Sequence, residues 1–509
     1  MSQKTSWYLW LLLLVTIPVT SSPLIAQFSG GETPVSPLSI YPLLGLLLLW
    51  FVPYILRGGK LPAISWSLFA FILFALLSAV IAIMLPILPF KGQTLITRGT
   101  RALLTLTIGF GFYLSASILP STERKVVWSI RALYFGLFLM LIWSTVQAWL
   151  VLDGSDRVPL VVTQIHHLFS VRDPFPDRVT GMSFEPSWLG GQLTVLYLPL
   201  LFASVVLKRS VFTSKRSFFT IELALFSWTI FILLLTQSRI SFLALLMVVG
   251  AVFLFAGLRF SERMQVWIGK RSRLDARLLR KLIPLLTLFV LIGSIGAVAL
   301  GFGWMMGQMD ERMQNLLSIR ARIPEIHYFF PNEEVYEVAN RLAFAERSVY
   351  WTAAFRTFSE HPILGVGPGN AGFYFERNLP AYGRNLTEIQ NVFNLQQYGF
   401  PNPKNFWVRL LAENGIIGFL CFTIWLSIIG IASRFLWRKG GGYSRLIGLA
   451  ALVSIITFFV EGFSLDTYAL PHNWILFGLV TAGIVWGNQL SSKTDMQKQT
   501  KDRHRSGLA

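Results

Sequence analysis

Apolar residues in this chain run in long blocks separated by short polar links, and block length decides the element. A helix needs about 18 or more apolar residues to cross the roughly 30 Å hydrocarbon core of a bilayer. Blocks of that kind fall near 7–25, 38–56, 65–88, 97–119, 127–151, 186–207, 218–236, 238–257, 282–301, 406–433, 446–463 and 470–487. The pattern predicts an all-α fold, a polytopic transmembrane bundle of about twelve helices. The weakest division lies within 218–257, where only Thr236-Gln237-Ser238-Arg239 interrupts the apolar run.

One segment breaks the rhythm. Residues 302–405 have the composition of a soluble protein and form one large extracytoplasmic loop between helices nine (ending at 301) and ten (starting at 406). Within it Leu342, Ala345, Val349, Ala353 and Phe358 recur at helical spacing, with Arg341, Arg347 and Arg356 among them. This predicts an amphipathic helix over 341–360, on or near the membrane surface. His361-Pro362 should stop it, because proline disfavours helix in the residue before it. Helices ten to twelve would occupy 406–490, and the polar, basic tail 491–509 is expected to be disordered.

Charge fixes the orientation. With both termini in the cytoplasm, the inside segments hold 27 of the 44 Lys and Arg, and the outside segments hold 17, ten of them between Arg312 and Arg409. Long loops translocate largely regardless of charge, so the short loops decide, and there the inside holds 27 against 7. Net charge is +19, yet the cations sit in links between apolar runs and not in a basic stripe, which excludes nucleic acid as the partner. Only 14% of residues are charged, too few to cover a water-facing surface of this size. The single cysteine, Cys421, excludes an intrachain disulfide and a cysteine metal site. The first 27 residues have some features of a signal peptide, but the apolar stretch is long and lacks an A-x-A site, so an uncleaved first helix is expected.

Four polar elements carry candidate chemistry. Arg178 to Trp188 lies outside, just before the sixth span; Pro186 suits a first helical turn. Glu185 there either complements the positive helix N-terminus or serves as a general base whose basicity rises with partial burial. Arg239 sits at the outer end of spans seven and eight. It is either a snorkelling arginine or a bidentate partner for phosphate oxygens. The turn His361-Pro362-Ile363-Leu364-Gly365-Val366-Gly367-Pro368-Gly369 permits positive φ and close backbone approach to a ligand, although such turns also simply end helices. Lys404-Asn405 leads into span ten, where Arg409 and Glu413 are four apart on one face. They form either a local ion pair or the charged rim of a headgroup site.

On these residues the chain resembles the bacterial O-antigen ligase and O-antigen polymerase superfamily over about 178–430. The carriers are Thr236-Gln237-Ser238-Arg239, Arg347 with Trp351 ahead of His361 to Gly367, and Asn405 followed by Leu411-Ala412-Glu413-Asn414-Gly415-Ile416-Ile417-Gly418. The resemblance implies an inner-membrane glycosyltransferase whose substrate is an oligosaccharide on undecaprenyl pyrophosphate. It implies a glycan or lipid acceptor, with membrane lipid and other polysaccharide-assembly membrane proteins as partners. The departing group is the lipid pyrophosphate, so no cofactor is implied, and no residue cluster has metal-ligand spacing. Arg239 and Arg347 match the family's pyrophosphate-holding arginines, since fixed cations stabilise the charge that builds on the leaving phosphate. With Glu185 they form the expected catalytic set. Arg178, His361, Gly365, Gly367, Lys404, Asn405, Arg409 and Glu413 are expected to bind substrate.

One departure matters. Many members, the ligases especially, carry His-Asn where this chain has Lys404-Asn405. An ammonium cannot accept a proton, so the base must be another group: Glu185 first, then His327, His361 or the His166-His167 pair. The missing histidine, together with Phe184-Glu185-Pro186-Ser187, which looks like polymerase sequence, tilts the reading from ligase to polymerase. A flippase of the same lipid-linked glycan is the reading from another class. Transporters tend to show paired halves with broken helices near the midplane, and the sequence has no such symmetry.

Overall fold

The structure is a computed structural model. It describes residues 3–28, 35–154, 157–213, 220–253, 345–395 and 399–487, with four single positions between 254 and 344. Among the described residues all regular structure is helical, and β-structure is limited to isolated bridges such as Ser21 with Ser36 and with Ser170.

Six described helices are long and apolar enough to cross a membrane: Ser65–Ala82, Leu95–Ile118, Glu123–Asp153, Pro186–Val206, Phe406–Lys439 and Gly442–Glu461. Their ends follow from local chemistry. Thr94, Thr122, Thr220 and Asn405 cap helix N-termini through their side chains, satisfying amide groups that have no partner within the helix. Gly154 ends the 31-residue helix Glu123–Asp153 in the left-handed conformation, φ 69°.

The other expected spans are shorter or lie elsewhere. Lys4–Val15, Ile40–Leu56, Ile221–Leu235 and Arg239–Phe253 are apolar helices of 10–17 residues. The span expected over 7–25 stops at Val15, because Pro18 disfavours helix behind it; a second helix, Pro23–Phe28, follows. The split of 218–257 at residues 236–238 is present. The twelfth span begins as the tight turn Pro471–Asn473 and is helical over 475–487. The ninth span, 282–301, the loop from 302 to 344 with His327, and the tail lie outside the described residues, apart from single positions.

Loops gather at two opposite ends of the bundle. At one end Glu222 Oε1 accepts from Ser210 Oγ at 2.8 Å and from the Val211 amide at 2.7 Å, Tyr443 donates its hydroxyl to the Ser210 carbonyl, and Glu123 accepts from the Tyr443 amide. The other end carries residues 16–22, 160–192, 236–241, 345–395, 399–405 and 462–473, and the candidate chemistry lies there. The amphipathic helix is observed as Ala345–Glu360 and stops before His361-Pro362. Its apolar face (Ala345, Val349, Tyr350, Ala353, Ala354) packs on Phe375, Leu379, Leu386 and Ile389 to make a small second core. Partly buried Leu85, Ile87 and Val408 flank that core. The expected surface helix is therefore covered on its apolar side by its own segment and by Ala412 of helix 406–439.

An aromatic layer lies beneath this end. Phe406 packs on Phe422 with centroids 5.1 Å apart and on Tyr468 at 5.3 Å, and Trp425 packs on Trp474 at 5.7 Å. Rings of this size dominate burial energy, and here they fix the start of helix 406–439 against the 462–474 connection.

Candidate active site

The site is assembled from helix ends. Helix 221–235 closes with Thr236, whose hydroxyl donates to the Leu233 carbonyl at 2.7 Å, and Gln237 turns the chain with φ 49°. Gln237 Nε2 donates to the Asp177 carbonyl at 2.9 Å, and the Val179 amide donates to the Leu235 carbonyl at 2.9 Å. These two bonds hold the Arg178 segment beside the turn that starts Arg239. Gly190 presses on the same turn, where a Cβ would lie 2.2 Å from Ser241 Oγ. That close approach needs glycine. Beneath it, the Thr194 hydroxyl lies 2.8 Å from Oε1 of the buried Glu461.

Glu185 caps nothing. It stands at the N-terminus of the 186–206 helix with no side-chain cap bond, and its Oε1 accepts from Arg172 at 2.7 Å. The guanidinium groups of Arg172 and Arg178 both lie over the Phe175 ring, 4.6 and 5.1 Å from its centroid. Arg178 also pairs with Asp177 at 3.1 Å. Gln147, buried in helix 123–153, organises the strand of loop behind them: its Oε1 accepts from the amides of Thr180 at 3.0 Å and Gly181 at 2.8 Å.

Across from this group, Arg347 projects from the first turn of helix 345–360. Its Nη1 donates to Ser464 Oγ at 3.1 Å and to the Phe463 carbonyl at 3.5 Å. Burial pushes this guanidinium below its ordinary range, while Glu185, Asp466 and Glu388 pull it back up. That influence ties Arg347 electrostatically to Glu185 from one side and to Asp466 from another.

Asp466 is the hub. Its side chain accepts from the Lys404 amide at 3.0 Å, and its carbonyl accepts from Arg409. Lys404, in the left-handed region at φ 50°, pairs with Glu388 and lies 4.8 Å above the Tyr350 ring; Tyr350 donates to the same carboxylate at 3.2 Å. Burial and Glu388 both raise the Tyr350 phenol above its ordinary range, so it remains a donor. Asn405 spends its amide oxygen on the Trp407 amide at 2.9 Å and the Val408 amide at 3.2 Å, while its buried Nδ2 has no partner among the described residues. Arg409 Nε donates to Glu413 Oε2 at 3.0 Å, both nearly buried, and Arg409 lies 5.6 Å from the Tyr468 centroid.

The structure thus ties Arg347, Lys404, Arg409 and, through Arg409, Glu413 to residues 463–466, with Glu185 acting on the charge of Arg347; Arg178 and the turn before Arg239 are held to each other. It does not bring His361 to either group. His361 follows the far end of helix 345–360, about 21 Å along the axis from Arg347 at 1.5 Å per residue. It packs edge-on against Tyr374, and burial pushes its imidazole down.

Gly365 and Gly367 face the protein itself. Their left-handed φ values, 70° and 85°, seat the turn in a break of helix 406–439 at Gly415, φ 61°. A Cβ on Gly365 would meet the Glu413 carbonyl carbon at 2.4 Å, and one on Gly367 would meet Ala82 Cβ at 2.6 Å. The close approach expected of this turn is real, but the partner is a transmembrane helix.

Sequence reasoning missed Arg172, Glu388, Asp466 and Glu461. Glu461 ends helix 442–461 and Asp466 lies in the short link that follows it, and a carboxylate beside a membrane helix was the signal available.

Fold and site together define a polytopic helical membrane protein with a cation-rich mouth where helix ends converge. The family model described as O-antigen ligase matches residues 224–423, less than half of the chain, and this match supports the resemblance to the O-antigen ligase and polymerase superfamily. The match covers Arg239, Arg347, Lys404, Arg409 and Glu413 and indicates an O-antigen-ligase-like membrane enzyme. That family acts on lipid-linked oligosaccharides and glycan acceptors. No curated protein matches the chain.

Proposed function

We propose that the chain is a membrane glycosyltransferase that polymerises oligosaccharide units carried on undecaprenyl pyrophosphate. It works at the outer face of the inner membrane, with both termini in the cytoplasm, in O-antigen or exopolysaccharide assembly. The observation that carries the reading is the placement of Arg347. Ser464 and Phe463 fix it where Glu185, Asp466 and Glu388, the partner of Lys404, all act on its charge.

An acceptor hydroxyl oxygen attacks the anomeric carbon of the donor sugar. The bond from that carbon to the diphosphate oxygen breaks, and the electron pair leaves with the lipid diphosphate. Arg347 and Arg239 hold the oxygens on which charge builds, and they need no reorganisation at that moment. Lys404 adds a cation, held in place by Glu388. The hydroxyl proton passes to Glu185, whose Oε1 is oriented by Arg172 and whose Oε2 faces the Ser187 hydroxyl. Ligation to a lipid A core would use the same leaving group. Lys404 in place of the ligases' histidine favours polymerisation.

The test is glycan profiling of a deletion strain complemented with Arg239→Ala or Arg347→Ala. Loss of long chains at undiminished protein level, with the first unit still attached, supports polymerisation. Loss of all attached polymer, with lipid-linked polymer accumulating, makes the protein a ligase. Normal long glycans from both variants remove the phosphate clamp.

A further inference from the structure

Glu461 ends helix 442–461 with its side chain buried, against helix 186–206 and the start of helix 239–253. Among the described residues no cation acts on this carboxyl; the polar side chains that do are Ser241 and Thr194. Oε1 lies 2.8 Å from Thr194 Oγ1, and Oε2 has no hydrogen-bond partner there. A carboxylate buried without a counter-ion is costly, so such a group is neutralised, by a proton or by a bound cation.

Geometry chooses the proton. Thr194 Oγ1 also lies 2.8 Å from the Gly190 carbonyl oxygen, one turn back. A hydroxyl carries one hydrogen, so both short contacts are hydrogen bonds only if the carboxyl supplies the second. Oε2 is then an uncharged carbonyl oxygen, for which a missing partner costs less than it does for a charged one. On that side Gly191 and Leu465 pack close: a Cβ on Gly191 would lie 2.9 Å from Leu465 Cδ1 and 3.6 Å from Oε2. Hard cations take about six oxygens, and this carbon-rich packing does not offer them.

We propose that Glu461 is an uncharged carboxylic acid that donates to Thr194 and acts as a positioning residue, setting the separation between Arg347 and the turn that begins Arg239. Its backbone carbonyl accepts from the amides of Ser464 at 2.8 Å and Leu465 at 3.0 Å, and Ser464 holds Arg347. Its side chain reaches Thr194, which donates to Gly190, and Gly190 presses on Ser241. Ser241 Oγ in turn lies 2.8 Å from Ser238 Oγ, beside Arg239. One residue therefore joins the anchor of one arginine to the turn of the other. That these arginines hold a diphosphate rests on the glycosyltransferase reading; the proton on Glu461 does not.

Infrared difference spectra of purified full-length protein against Glu461→Gln, at neutral pH, test the proton. The C=O stretch of a protonated carboxyl is expected in the wild type and absent from the variant. A carboxylate band in its place, or a band that moves when sodium replaces potassium, overturns the proposal. Positioning is read from long-chain glycan at equal protein level. Glu461→Gln, whose amide can donate to Thr194, should keep long chains. Glu461→Leu and Thr194→Val should each cut them about tenfold, the worth of one net hydrogen bond. If Glu461→Leu does not accumulate, Thr194→Val carries the comparison. A loss with glutamine as large as with leucine, or wild-type chains from Thr194→Val, also overturns the proposal. The two readings separate. A protonated-carboxyl band with normal glycans from Arg347→Ala keeps the neutral acid and removes the diphosphate clamp. A carboxylate band with glycans lost from Arg347→Ala does the reverse.

Discussion

Ile416 donates its backbone N–H to the Pro362 carbonyl at 2.8 Å, inside what would otherwise be an unbroken transmembrane helix. In return, the Ala412 carbonyl accepts from Val366 at 3.0 Å and the Glu413 carbonyl from Gly367 at 2.9 Å. The 361–369 turn therefore replaces helical bonds lost at the Gly415 break. Ser78 adds its hydroxyl to the Leu364 carbonyl at 2.7 Å. Two membrane helices, 65–82 and 406–439, are thereby locked to the segment that carries Arg347.

This brace makes Gly415 and Gly365 intolerant of any side chain. A Cβ on Gly415 would lie 2.2 Å from the Ile363 carbonyl oxygen, and its φ of 61° adds strain of about 1–3 kcal/mol on top of the clash. Gly415→Ala and Gly365→Ala should both lower the melting temperature in detergent and abolish activity. Gly441→Ala, whose Cβ would meet nothing within 4 Å, should leave both near wild type. Equal stability across all three would remove the brace.

Arg409 and Glu413 are a nearly buried pair, 12% and 3% exposed at the side chain. Removing one partner of such a pair strands a charge and typically costs about 3–5 kcal/mol. Arg409→Met should therefore destabilise strongly, and adding Glu413→Leu should recover part of the loss. Thermal unfolding of the two single variants and the double variant measures this, and additive losses would contradict it.

Lys404 and Glu388 behave differently because both are about two-fifths exposed. Half-exposed pairs contribute about 0–1 kcal/mol. Lys404→Ala should leave the melting temperature almost unchanged while shortening the glycan. A variant with wild-type chain length would show that this ammonium does not serve the diphosphate.

His166 sets an acid limit on stability. It lies in a loop helix, and its Nδ1 faces the Gln147 amide nitrogen at 3.2 Å and Trp143 Nε1 at 3.4 Å, so it acts as an acceptor. Burial pushes it down from 6.5 to about 4. The folded state then binds fewer protons than the unfolded state between those values. Stability is complete above about pH 6.5 and falls as pH drops towards about 4, by up to ~3 kcal/mol. His166→Gln should flatten that limb in a melting-temperature series. An unchanged slope would assign the acid loss to other groups.

Much of this organisation is legible along the chain because membrane solvation acts on each segment separately. Apolar length marks the spans; Thr236 to Ser238 marks the break before Arg239; His361-Pro362 marks the helix end at Glu360; Asn405 ahead of an apolar run reads as a cap. Arg409 and Glu413 pair as their spacing requires, since four residues is one helical turn. The sequence likewise pointed to the family through motifs that the domain match at 224–423 covers.

What the linear order did not contain is which helix ends meet. Arg347 and Ser464, Lys404 and Glu388, and Gly365 and Glu413 are joined only once the bundle packs, because each contact crosses between segments with no periodicity in common. Asp466 becomes the centre of the mouth for the same reason: its neighbours come from two other elements. Each residue's type follows from where it sits in the bilayer, whereas its partner follows from how the helices are tied together at their ends.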